Sequence, residues 1–149
     1  MDKTEHYHDD LKQCGLKSTR HRLDILAILD HSDEPYTADQ VYLELIKRAV
    51  SINLSTVYRT LDTLAVNKLL NKLSISKDGR ALYEYNRRIH RHYLVCLGCK
   101  RIKAIDGCPL EAYDKTLEET TNYTIAGHKL DIYGYCPQCK ALGLPKQKH

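Results

Sequence analysis

Apolar residues in the first 85 positions recur every three or four places, then every second place. That change of period predicts a run of short helices followed by a β-hairpin. A helix from His6 to Cys14 would stop at Gly15, a residue free to take the left-handed cap conformation. Ser18 or Thr19 can cap a second helix, with Leu23, Ile25, Leu26, Ile28 and Leu29 on its apolar side. The polar stretch His31-Ser-Asp-Glu-Pro35 ends it. Thr37-Ala-Asp-Gln40 has the spacing of a capping box and opens a third helix, expected to bury Val41, Leu45 and Ile46. Ser55 suits the N-cap of a fourth, which would bury Val57, Leu61, Leu64 and Leu69. Leu70 to Ser76 alternates like a strand, Lys77-Asp-Gly-Arg80 reads as an Asp-Gly turn, and Ala81 to Tyr85 is the return strand.

Short helices leading into a hairpin form the pattern of a winged helix-turn-helix, whose last helix enters the major groove beside the wing. Ser55, Thr56, Tyr58 and Arg59 would then face DNA from the fourth helix. Hydroxyl, aromatic and guanidinium groups together suit phosphate and base-edge contacts. Lys77 and Arg80 at the hairpin tip, and Lys17, Arg20 and Arg22 near the second helix, extend that basic face. Periodicity alone accommodates a second reading, in which these are solvated charges on a helical bundle.

The second half carries different chemistry. Cys96/Cys99 and Cys136/Cys139 are two Cys-x-x-Cys pairs, and four thiolates can close a tetrahedral zinc site. The 36 residues between Cys99 and Cys136 exceed the gap of a compact zinc ribbon, so the knuckles must meet across a sheet. Such a site has no open position and is structural. Tyr93 to Cys96 and Arg101 to Ile105 read as strands, and Cys108-Pro109 as the start of a helix running to about Thr121. His90 and His92, two apart in an extended segment, leave on one face, and Glu111 with His128 can complete a set of three imidazole nitrogens and one carboxylate oxygen. Histidines in a basic stretch also serve as solvated or phosphate-facing groups. Cys14 and Cys108 have no partner at short spacing; Cys108 is read most simply as a buried or capping residue, with ligation as the alternative.

Bulk properties narrow the class. The net charge of +4 is compatible with nucleic acid but does not demand it. No apolar run approaches the roughly 20 residues that span a bilayer. The segment from Met1 to His6 lacks a signal-peptide core, so a cytoplasmic protein is expected. In a reducing compartment paired cysteines bind metal rather than form disulfides. Eleven tyrosines, with no Phe or Trp, supply every large aromatic ring. The expected fold is α+β: a winged-helix domain over 1–86 and a small metal-binding α/β domain over 87–149.

The order of winged helix, His-x-His, Cys-x-x-Cys, helix, His and Cys-x-x-Cys resembles the ferric uptake regulator family of bacterial metal-dependent repressors. The likeness runs from Gly15-Leu-Lys-Ser-Thr-Arg20 through Ser55-Thr-Val-Tyr-Arg-Thr-Leu61 to Cys136-Pro-Gln-Cys139. Cys108-Pro-Leu110 and the stretch Gly127–Cys136 are most similar to its zinc-uptake branch. The resemblance implies a homodimer joined through its C-terminal halves, binding a palindromic double-stranded operator. It implies Zn2+ on the four cysteines and a regulatory ion on His90, His92, Glu111 and His128, zinc first, with Fe2+ or Mn2+ as alternatives. Tyr85, Arg91, Tyr93 and Ala104 stand where another of the family's sites carries histidines and carboxylates, so one regulatory site per subunit is expected. Neither a membrane nor a small-molecule substrate is implied. An iron sensor of the same architecture is the alternative function.

An enzyme is not expected. Zinc deaminases need His-x-Glu with Pro-Cys-x-x-Cys, whereas here the proline follows Cys136 and Lys129-Leu130 follows His128.

Overall fold

In the computed structural model, which describes residues 3–74, 79–87 and 90–144, side-chain caps set where the first helices begin. The chain divides into two units, Met1–Arg88 and Ile89–His149. The first holds α1 (Lys3–Gln13), α2 (Arg20–Asp30), α3 (Ala38–Lys47) and α4 (Leu54–Val66). Thr19 Oγ1 accepts the Arg22 N–H at the head of α2. Thr37 and Gln40 exchange both bonds of the capping box, at 3.2 and 2.8 Å. The cap of α4 is Asn53 and not Ser55: Asn53 Oδ1 accepts the Thr56 N–H at 2.8 Å. Asn53 is extended (φ −100°, ψ 161°) and Leu54 is already helical, which places Ser55 inside the first turn, where it cannot cap.

The helices enclose one apolar core. Leu11, Ile25, Val41, Leu45, Val57, Leu61 and Leu64 are fully buried. Ile46, expected inside, is 47% exposed. One residue on from Leu45 turns about 100° around the helix, which carries it off the stripe formed by Val41 and Leu45. Leu69 is partly buried against the same core. Strands β1 (Leu70–Leu73) and β2 (Leu82–Tyr85) pair antiparallel, Leu70 opposite Tyr85. A bridge between Tyr36 and Tyr83 ties β2 to the segment before α3. Lys77 and Asp78 of the expected turn lie outside the described residues.

Because tyrosine alone supplies the large rings, each buried ring brings a hydroxyl that must find an acceptor. Tyr7 donates to Asp30 at 2.6 Å, Tyr83 to Asp62 at 2.8 Å and Tyr85 to Asp10 at 3.1 Å. Burial first, then the neighbouring carboxylates, pushes all three phenols well above their ordinary range. A folded-state pKa above the unfolded value adds stability that is whole below the unfolded pKa and lost as pH rises past it. The N-terminal unit is therefore expected to weaken as pH climbs beyond about 10. Denaturant melts should show a shallower fall for Tyr83→Phe; equal slopes for variant and parent would exclude the buried phenol as a cause.

The second unit is built on β3 (His92–Cys96), β4 (Ile102–Ile105), α5 (Glu111–Thr121), β5 (Asp131–Gly134) and α6 (Pro137–Ala141). Its sheet has the order β4-β3-β5, with β3 antiparallel to β4 and parallel to β5. The first helix of this unit starts at Glu111, later than the expected Cys108-Pro109. Leu110 (φ −100°, ψ 1°) is off helical values, so 108–110 form a turn that leads in. The interior is small: Tyr93, Val95, Cys96, Ile102 and Cys139 are buried, and α5 buries no residue. Leu94 and Ile132, opposite one another in the sheet, are both exposed. Among the described residues no helix is long and apolar enough to cross a membrane.

Candidate metal centre

Among the described residues of the second unit, two groups of potential ligands occur, one at each end of β3. At its C-terminal end the chain turns through the first knuckle, where Lys100 takes a left-handed conformation (φ 65°) and donates to the Cys96 carbonyl at 3.0 Å. The second knuckle opens α6: Cys136 is its N-cap, its Sγ accepting the Cys139 N–H at 3.4 Å. Cys96, Cys99, Cys136 and Cys139 present sulfurs all within 4.8 Å of one another. Cys99 Sγ and Cys136 Sγ stand 3.8 Å apart. With Zn–S bonds of about 2.3 Å, a tetrahedral site has edges of about 3.8 Å, so the donors fit zinc.

Electrostatics favour the charged thiolate on two of these sulfurs. The Cys136 backbone N–H donates to Cys96 Sγ at 3.3 Å and leads the causes that lower that thiol to about 6. The Cys139 N–H lowers Cys136 in the same way. Cys139 is pushed up to about 12 by burial, a penalty on its thiolate that a cation beside it would offset. Gly98 lets the loops close this tightly: a Cβ there would sit 2.7 Å from Cys139 Sγ.

At the other end of β3, His92 is 2% exposed and faces the ring of His128. His92 Nε2 and His128 Nε2 are 3.0 Å apart, and His90 Nε2 is 2.8 Å from His128 Nε2. The opposite ring atoms have fixed partners. His92 Nδ1 donates to the Leu130 carbonyl at 3.3 Å, and His128 Nδ1 donates to the Asp114 carboxylate. Both partners accept only, so each ring places a proton on Nδ1, and in the neutral ring Nε2 then keeps its lone pair. Two lone pairs at that distance repel unless a proton or a metal cation lies between them. Oriented imidazoles with a carboxylate or carbonyl behind them are the arrangement seen around bound metals.

Of the four residues expected here, His90, His92 and His128 come together. Glu111 does not join the converging set, although it lines the same cleft of about 500 Å³ as His90, Cys108, Asp114 and His128. The fourth converging donor is Cys108, with Sγ 3.3 Å from His92 Nε2 and 3.2 Å from His128 Nε2. Sequence reasoning also misses Asp114, although it follows Glu111 by three residues on one helix face and is open to detection on that spacing. Cys14, in the other unit, donates to the Asn67 carbonyl at 3.5 Å.

The residues expected at DNA lie on the first unit. Ser55, Tyr58 and Arg59 are exposed on α4, and Thr56 is half-buried with Arg59 Nη2 3.4 Å from its hydroxyl. Lys17, Arg20 and Arg80 are exposed, Arg20 beside Asp24 at 3.7 Å.

A model of the ferric uptake regulator family matches residues 13–133. The ferric uptake regulation protein of Neisseria meningitidis serogroup B is 33% identical over 134 residues, spanning 89% of this chain and 92% of that protein. The one from Cupriavidus metallidurans is 34% identical over 128 residues, 85% and 89% of the two chains. The crystal structure of the Vibrio cholerae ferric uptake regulator superposes with a TM-score of 0.76 at 29% identity, covering 87% of this chain and 98% of that one. The protein belongs to the ferric uptake regulator family of metal-responsive transcription regulators.

Proposed function

We propose that this protein is a zinc-responsive repressor which, as a metal-loaded homodimer, binds a palindromic operator controlling metal-uptake genes. The observation that carries the reading is the convergence of the His90, His92 and His128 Nε2 atoms, with the protons of His92 and His128 held on the far side by fixed acceptors. A cation there supplies the positive charge that the facing lone pairs need. The four cysteines hold a second, structural zinc.

The chain's own residues account for the coupling. His90 follows the division between the units by a single residue. Drawing its imidazole onto His92 in β3 and His128 in the segment after α5 fixes the course of the chain as it enters the second unit. The start of that unit is then held, and with it the state that fits two operator half-sites. In that state α4 presents Ser55, Thr56, Tyr58 and Arg59 to the major groove, with Lys17, Arg20, Lys77 and Arg80 on the backbone. The exposed Leu94 and Ile132, paired on one face of the sheet, form the surface that a second copy covers. Iron is the second reading, favoured by the names of the relatives that exceed 30% identity.

The test is a binding titration on DNA selected by the protein itself, with zinc, iron(II) and manganese at matched free concentrations. Zinc is expected to tighten a salt-sensitive, sequence-specific complex more than either other ion. Equal binding by metal-stripped protein rejects metal control, and a stronger response to iron selects the second reading.

A further inference from the structure

We propose that Cys108 supplies the fourth donor of the regulatory site as a thiolate, making a centre of three imidazole nitrogens and one sulfur that selects zinc, with Glu111 outside the coordination shell. The inference rests on the reading of His90, His92 and His128 as the holders of a regulatory ion, and adds the identity of the remaining ligand.

Cys108 sits on the turn before α5, half-buried, and the polar atoms its sulfur meets are His92 Nε2 and His128 Nε2, at 3.3 and 3.2 Å. With the Leu130 carbonyl and the Asp114 carboxylate each taking a proton on Nδ1, the neutral rings present both Nε2 atoms as acceptors. A neutral thiol has one hydrogen and can satisfy one nitrogen, leaving the other facing sulfur lone pairs. A thiolate with a shared cation satisfies all three atoms. Around tetrahedral zinc, N···N edges are about 3.3 Å and N···S edges about 3.6 Å, so the observed contacts require an opening of a few tenths of an ångström.

The donor set decides the ion. A thiolate beside three imidazoles matches the borderline-soft, tetrahedral preference of zinc. Iron(II) and manganese(II) favour more oxygen and a higher coordination number, which the carboxylate of Glu111 would serve and Cys108 does not. Glu111 is exposed on the wall of the cleft that His90, Cys108 and His128 also line.

The experiment uses full-length protein whose four-cysteine site is already filled with zinc, titrated with cobalt(II) as a spectroscopic probe. One added cobalt per chain is expected to give the intense visible bands of a tetrahedral site and a near-ultraviolet sulfur-to-cobalt charge-transfer band. Cys108→Ser should lose the charge-transfer band and weaken zinc at this site at least about 100-fold, beyond the usual cost of losing an outer-shell partner. Glu111→Gln should keep both. In unmodified protein, zinc should slow alkylation of Cys108 read by mass spectrometry, a result independent of whether any variant folds. An unchanged band and affinity in Cys108→Ser, their loss in Glu111→Gln, or alkylation indifferent to zinc would each overturn the assignment. The failures separate cleanly. If His90→Ala with His92→Ala also leaves cobalt uptake intact, the regulatory site itself is misplaced; if it abolishes uptake while Cys108→Ser does not, only the thiolate is wrong.

Discussion

Replacing Cys136 with serine is expected to unfold the C-terminal unit while the N-terminal unit keeps its own cooperative transition. The asymmetry follows from where apolar burial lies. The main hydrophobic cluster draws every buried member from positions 7 to 85, all in the first unit. Among the described residues the second unit buries few side chains, two of them the proposed ligands Cys96 and Cys139, and its long helix buries none. A structural zinc contributes on the order of 10–16 kcal/mol in small zinc-folded peptides, as much as the whole stability of an ordinary domain. Serine separates two roles of the residue. Its hydroxyl can still cap α6, where Cys136 Sγ now accepts the Cys139 N–H, but it is a poor zinc ligand. Thermal or denaturant melts should therefore show the C-terminal transition lost, with zinc content reduced by one per chain. A variant that keeps both would mean that sheet and dimer face hold this unit without the metal.

The second large effect is expected from His90→Ala combined with His92→Ala. The double variant removes two of the three converging imidazoles and leaves the four cysteines untouched, so the structural zinc and the dimer should persist. Metal-induced operator affinity should disappear. Coupling between an effector and a ligand is typically about 1–3 kcal/mol, so loss of the response is a fall of roughly 5–150-fold at saturating zinc. By reciprocity the operator should also cease to tighten zinc at this site. His92 is buried, and its truncation leaves a small void beside Leu130, so circular dichroism and zinc content must accompany the binding assay. Full zinc-dependent binding by an intact double variant would remove the histidines from the regulatory account.

The four cysteines are legible in the sequence because two residues between thiols already determine a knuckle, whatever surrounds it. His90 and His92 are legible for a similar reason, since a spacing of two puts side chains on one face of any strand. Glu111 and Cys108 are not separable in that way. Their roles turn on whether the helix begins at 109 or 111, and a single backbone angle pair at Leu110 decides it. Beginning late leaves Cys108 on a turn that brings its short side chain onto the imidazoles, and makes Asp114 the carboxylate that reaches His128. Asn53 displaces Ser55 for the same kind of reason: both are good caps, and only the backbone says which of them precedes the first helical residue. Ile46 shows the limit of pattern from the other side, an apolar residue next to a buried stripe but outside its arc.

The parallel pairing of β3 with β5 has a consequence for the order of assembly. Parallel neighbours cannot be set by a tight turn, and here β4 and α5 intervene, so local chain geometry leaves the register open. Closing the sulfur cluster sets it, because Cys96 ends one strand and Cys136 follows the other, with Cys96 opposite Gly134. About 13 Å away along the same strand, that alignment decides which carbonyl meets His92; a slip of one residue would replace Leu130 and turn neighbouring side chains to the wrong face. On the proposed reading the first ion acts as a template that sculpts the sensor for the second, and the protein reports on scarcity only after it has been furnished with metal once.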